Sequence, residues 1–135
     1  MKTKPVLSIT DVKAILSAAE AHATANKWAV SISVVDDGGH LLGMVRLDGA
    51  APISAQISPA KARTAALGRR ESKGYEDTIN QGRTAFLSAP GMQGMLEGGV
   101  PIIVQEQVIG AVGVSGVKSS DDVAIAQAGI AALQA

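Results

Sequence analysis

The chain contains no cysteine, which excludes a disulfide framework, a zinc ribbon, an iron–sulfur cluster and a thiol nucleophile. It has one Trp, one Tyr and one Phe, too few for the stacking platforms on which single-stranded nucleic acid is held. Neither sign of charge is in excess: twelve basic residues face twelve acidic ones, for a net charge of zero. Nucleic acid or an anionic membrane held through bulk positive charge is therefore not expected. Two histidines cannot build a site of several imidazoles within one chain. No window approaches the ~20 apolar residues of a membrane span, and Pro5, Asp11, Lys13 and Glu20 break any signal-like apolar run near the start. A cytoplasmic protein is expected. What is present is 135 residues, 47% of them hydrophobic, which suits one folded domain over 1–135 with one real core.

Hydrophobic periodicity divides the chain. Val12, Ile15, Leu16, Ala19, His22 and Ala23 recur at three- and four-residue steps, predicting an amphipathic helix from about Thr10 to Asn26. The period then becomes two: Val30, Ile32 and Val34 take one face of a strand and Ser31 and Ser33 the other. Asp37-Gly38-Gly39 is turn chemistry, and Leu41–Leu47 returns as the second half of a hairpin. An alanine-rich helix follows, opened at Ser58-Pro59 or kinked at Pro59 after starting near Ile53, and capped by Gly68. A short helix is expected around Tyr75–Gln81, then a loop with Pro90, Gly91 and Gly94. Val100–Gln105 and Val108–Ser115 form a second hairpin, and Ser119 or Ser120 caps a final helix with Asp121 and Asp122 in its first turn. Two hairpins with helices at both ends imply an α+β domain around an antiparallel sheet.

Several residues stand out chemically. Gly110, Gly113 and Gly116 lie along a strand instead of between strand and helix, so they do not form a dinucleotide fingerprint. They leave room for a neighbouring helix, a subunit or a flat ligand. His22 lies on or beside the apolar stripe of the first helix. It is either a core-edge imidazole or an axial ligand to a haem resting on the domain or between subunits, for which one imidazole per chain is enough. His40, next to the turn, reads as solvated. Arg46, Asp48, Lys61 and Glu97 fall near strand ends and glycine loops, where they would be surface ion pairs or the lining of one polar pocket. In a pocket, Arg46 would grip a carboxylate, Lys61 would add a point charge, and Lys61, Asp48 or Glu97 would act as acid or base. No nucleophile–base pair is visible.

Taken in order, Val34-Val35-Asp36-Asp37-Gly38-Gly39-His40-Leu41-Leu42, Arg46-Leu47-Asp48-Gly49-Ala50, Lys61-Ala62-Arg63-Thr64-Ala65, Gly98-Gly99-Val100-Pro101-Ile102, Gly110–Gly116 and Asp121-Asp122 resemble the GlcG-like, or haem-degrading-domain, family. The resemblance runs nearly the whole length. It implies a profilin-like fold with a five-stranded antiparallel sheet flanked by helices, the fifth strand coming from about Gln93–Leu96. It also implies homo-oligomers. Some members of the family bind haem, among them secreted proteins of the HbpS type and the domain appended to PduO-type adenosyltransferases, where a first-helix histidine is implicated; only His22 matches that role here. This chain departs from that picture in its scarce aromatics, its lack of an export signal and the proline within the second helix, while Met44, Met92, Met95 and Leu96 offer apolar walls. The function expected is binding of a small planar or anionic ligand, haem first among them, with His22 as metal ligand and Arg46, Lys61, Gly98 and Gly99 as ligand contacts. The alternative is an enzyme acting on a small hydroxy or keto acid through Lys61, Glu97 and Asp48, with Arg46 as anion anchor. No nucleic-acid or membrane partner is expected.

Overall fold

The computed structural model describes residues 1–133. Helix α1 (Ile9–Ala25) begins two residues before Asp11 instead of at Thr10, because Ser8 and Asp11 form a reciprocal cap: Ser8 Oγ accepts the Asp11 N–H and the Asp11 carboxylate accepts the Ser8 N–H. Its end follows a Schellman pattern. Lys27 takes a left-handed conformation (φ 60°), and the Trp28 N–H reaches back to the Ala23 carbonyl at 2.9 Å.

Strands β1 (Ser31–Asp36) and β2 (Leu41–Arg46) form the first hairpin. Asp36 Oδ1 stabilises its turn by accepting the N–H groups of Gly38 and His40, each at 2.9 Å. Helix α2 (Ser54–Gly68) includes Pro59 and continues beyond it. The helix starts where the second expectation placed it, near Ile53, and a proline within its second turn does not end it. Gly68 is the last helical residue, and the left-handed cap is taken by Arg69 (φ 56°). Helix α3 (Lys73–Asn80) and a 3₁₀ turn at Thr84–Ser88 precede β3 (Gly99–Val104), β4 (Gln107–Ser115) and α4 (Ser119–Ile130). The β3–β4 turn places Gln105 and Glu106 at positive φ (52° and 63°), the arrangement whose twist matches a two-residue hairpin. Lys118, not a serine, occupies the cap position of α4.

The sheet is antiparallel in the order β2-β1-β4-β3. Among the described residues it has four strands, where the family resemblance implies five. Residues 93–96 stay irregular because they pass over α2: a Cβ on Gly94 would lie 2.4 Å from the Ala60 carbonyl carbon, so this segment packs against a helix backbone, not a strand edge.

Each face of the sheet is covered. Ile32, Val34, Val100, Ile102, Val112 and Val114 join Val12, Ile15 and Ile125 in the main core under α1 and α4. On the other face, Val35 and Ala111 meet Ala62, Ala65 and Ala66 of α2. The predicted alternation of β1 holds, with both faces buried, and the serine face is satisfied by hydroxyls: Ser31 bonds Ser54 at 2.8 Å and Ser33 bonds Ser58 at 2.7 Å. Helix α2 can lie this close because the strands under it carry glycine. A Cβ at Gly113 would sit 2.2 Å from the Ser58 carbonyl oxygen, and one at Gly99 2.2 Å from that of Lys61. Of the uses open to the β4 glycines, Gly113 serves the neighbouring helix. No helix among the described residues is long and apolar enough to cross a membrane.

Candidate functional site

The side chains singled out by sequence are distributed over two regions. In the first, α2 carries Lys61 under the sheet to the start of β3, where Gly98 and Gly99 give it space. A Cβ on Gly98, which has φ +135°, would be 2.7 Å from Lys61 Nζ. Lys61 is only 4% exposed. Its ammonium donates to the Val114 carbonyl at 2.9 Å and to Asp122 Oδ2 at 3.1 Å. Asp122, 1% exposed, uses its other oxygen to accept the Val117 N–H at 3.2 Å. Burial pushes the Asp122 carboxyl above its ordinary range, against the pull of Lys61.

The structure brings Lys61 to Gly98 and Gly99, but as half of a buried ion pair with Asp122, neither a surface ion pair nor the wall of an open polar pocket. Asp122 stands in the first turn of α4, where an acidic residue already has a sufficient local reason; nothing local in the sequence marks it as the counter-ion of a lysine 61 residues away. With both groups enclosed and paired, Lys61 ties α2, β4 and α4 together. Glu97, half-buried, precedes this glycine pair and forms no salt bridge among the described residues.

The second region is where α1 ends and β2 leaves the sheet. A hollow of about 420 Å³ opens there, lined by Glu20, Thr24, Lys27, Trp28, Leu47 and Asp48 among others. The left-handed turn at Lys27 sets Trp28 in its wall. Arg46 is exposed at the end of edge strand β2, opposite Ser31 in the register. Arg46 and Asp48 therefore lie by the outer edge strand while Lys61 and Gly99 lie by β3, with β1 and β4 between, and the four ionisable groups do not share this hollow. His22, half-buried, stands beside Trp28 with ring centroids 6.1 Å apart and planes tilted by 51°. Its backbone carbonyl accepts from Asn26, but no described side chain hydrogen-bonds its imidazole. Met95 and Leu96 wall a different hollow, with Ile79 and Leu87. Among the described residues no cluster of three or more His, Asp or Glu is arranged to hold a metal ion.

A four-stranded antiparallel sheet between α2 on one face and α1 with α4 on the other defines a small α+β protein of three layers, with the His22 imidazole beside Trp28 at the end of its first helix. The profile of the family described as "Haem degrading protein HbpS-like" matches residues 7–131, and the chain belongs to that family. It is 60% identical to Protein GlcG of Escherichia coli over 115 residues, 85% of each chain. Among solved structures it resembles HbpS with a TM-score of 0.90 and 28% identity, over 100% of this chain and 95% of that one. It also resembles the PduOC:heme complex with a TM-score of 0.86 and 28% identity, over 96% of each.

The residues of this chain fit haem in one respect and limit it in another. Among the described residues no side chain occupies either nitrogen of the His22 imidazole, so one is open to serve as an axial ligand, with the Trp28 indole as an apolar neighbour. The adjacent hollow sets the Glu20 and Asp48 carboxylates against the single ammonium of Lys27, so a propionate edge is disfavoured inside it.

Proposed function

We propose that this protein is a cytoplasmic, homo-oligomeric binder of a small ligand, with haem as the leading ligand and His22 as its axial base. One observation carries the reading: the only imidazole on α1 is half-buried, unpartnered and 6.1 Å from the chain's single Trp. The heme complex of a structural relative and the family description support it. Bound haem supplies a redox-active iron; the chain supplies one nitrogen ligand and one apolar flank. A planar group has two faces and one chain covers one of them, so a second copy is expected to close the other. Titration with hemin should give a shifted Soret band that His22→Ala abolishes, and native mass spectrometry should show haem retained on an oligomer. A Soret spectrum unchanged by His22→Ala would remove the histidine from the reading.

A second reading rests on the exposed end of β2, outside the hollow beside Trp28, where Arg46 stands two residues before Asp48. A small hydroxy or keto acid would be held by Arg46 and its proton moved by Asp48. Lys61 and Glu97, by β3, are expected to matter less, so loss of turnover in Asp48→Asn but not in Glu97→Gln would support this reading.

A further inference from the structure

Four of the five arginines, Arg63, Arg69, Arg70 and Arg83, fall between the second half of α2 and the start of the 3₁₀ turn. Among the described residues none of them takes part in a salt bridge; every ion pair formed uses lysine or histidine. Neutral groups hold them instead. Arg63 donates to the Gly91 carbonyl at 3.0 Å and Arg69 to that of Ala66 at 2.9 Å. Arg70 lies over the Tyr75 ring at 4.7 Å and Arg83 over the Phe86 ring at 4.9 Å, while the two rings meet edge to face at 5.5 Å. A guanidinium stacked on a ring keeps its N–H edge available in its own plane, where a carboxylate binds in bidentate fashion.

An open surface hollow of about 290 Å³ is lined by Arg83, Ala85, Phe86, Ser88, Ala89 and Pro90. Its size lies just below the ~300–1,000 Å³ of ligand pockets, which suits only a small ligand. The Ser88 hydroxyl proton is committed to the Ala85 carbonyl at 2.8 Å, which leaves Arg83 as the charged donor. We propose that this hollow binds a short-chain monocarboxylate: the carboxylate is received by the Arg83 fork and the apolar chain lies against Ala85, Ala89 and Pro90. Planarity of the head group and apolarity of the walls favour a carboxylate over a phosphate, which has no apolar part to bury. This site is separate from His22, and its failure would leave the haem reading intact.

The test is NMR titration of the full chain with butyrate, acetate and inorganic phosphate, read at the Arg83 Nε–H and the amides of residues 84–90. Butyrate should saturate these signals more tightly than acetate, and phosphate should move them least. Arg83→Gln should weaken butyrate at least about tenfold, and Phe86→Leu should weaken it less, by freeing the guanidinium from its ring. Equal responses to all three anions, a phosphate preference, an Arg83→Gln variant that binds butyrate as the parent does, or no saturable response would each overturn the proposal.

Discussion

Lys61 Nζ and Asp122 Oδ2 lie 3.1 Å apart with side chains 5% and 2% exposed, joining the middle of α2 to the first turn of α4 beneath the end of β4. Removing one member of such a pair strands the other charge in the interior, whereas removing both strands no charge and deprives only two neutral groups, the Val114 carbonyl and the Val117 N–H, of these partners. Lys61→Met and Asp122→Leu should each cost about 3–5 kcal/mol in urea unfolding, and the double variant should regain most of that loss. Additive losses would mean that the two groups do not share their energy.

The acidic limb of stability should contain two opposed contributions. Asp36 is partly buried, which raises its carboxyl, but the N–H groups of His40 and Gly38 prevail and hold it below the ordinary 3.8. The fold therefore binds that proton less tightly than the unfolded chain, and the stabilisation present above pH 3.8 is lost as pH falls below it. Asp122 has the opposite sign: burial raises its carboxyl above 3.8, so its contribution to stability grows as pH falls towards that value and is lost as pH rises through the folded value. Urea midpoints measured across the acid range should show a flatter decline below pH 3.8 for Asp36→Asn and a steeper one just above it for Asp122→Asn.

Local signals served well where each element had its own cause. The alternation in β1, the Asp37-Gly38-Gly39 turn and the Asn26 stop are all realised, since each depends on residues within a few positions. What escaped the sequence was long-range. Asp122 is the partner of Lys61 only because α2 crosses β4, and residues 93–96 are irregular only because α2 passes beneath them. The close approach of α2 at Gly113 was legible because a glycine within a strand signals a near neighbour. The separation of Arg46 from Lys61 and Gly99 was not, because strand order is not written in periodicity. His22 was singled out by type and helix position, while its neighbour Trp28 follows from a left-handed turn at Lys27 that composition does not announce.

The contact of α2 with the sheet gives a packing test. A Cβ at Gly113 would meet the Ser58 carbonyl oxygen at 2.2 Å and the Ala62 nitrogen at 2.5 Å, and these are backbone atoms that no rotamer change can move. Gly113→Ala should therefore displace α2, at a cost of about 1–3 kcal/mol and roughly 4–12 °C in Tm. Because Ser58 Oγ donates to the Gly113 carbonyl at 2.8 Å and bonds Ser33 at 2.7 Å, the shift should also expose these hydroxyls. Hydrogen exchange at β1 and β4 amides should speed up beyond the change that the global stability alone predicts. A variant with unchanged Tm would show that the helix stands further from the sheet.

Trp28 is the chain's one tryptophan and lies 6.1 Å from the imidazole of His22, so it reports on occupancy of that histidine without any added label. A porphyrin absorbs where indole emits, and on His22 it would sit within a few side-chain widths of the ring. Hemin should therefore quench tryptophan emission with the same midpoint as the Soret change, and His22→Ala should leave the emission largely intact at that concentration. Trp28→Phe keeps an aromatic wall and should bind with little change in the Soret band, which separates the reporter from the ligand. Quenching that survives in His22→Ala with an unaltered midpoint would place the porphyrin near Trp28 but not on the histidine, for example across the hollow bounded by Leu47 and Asp48.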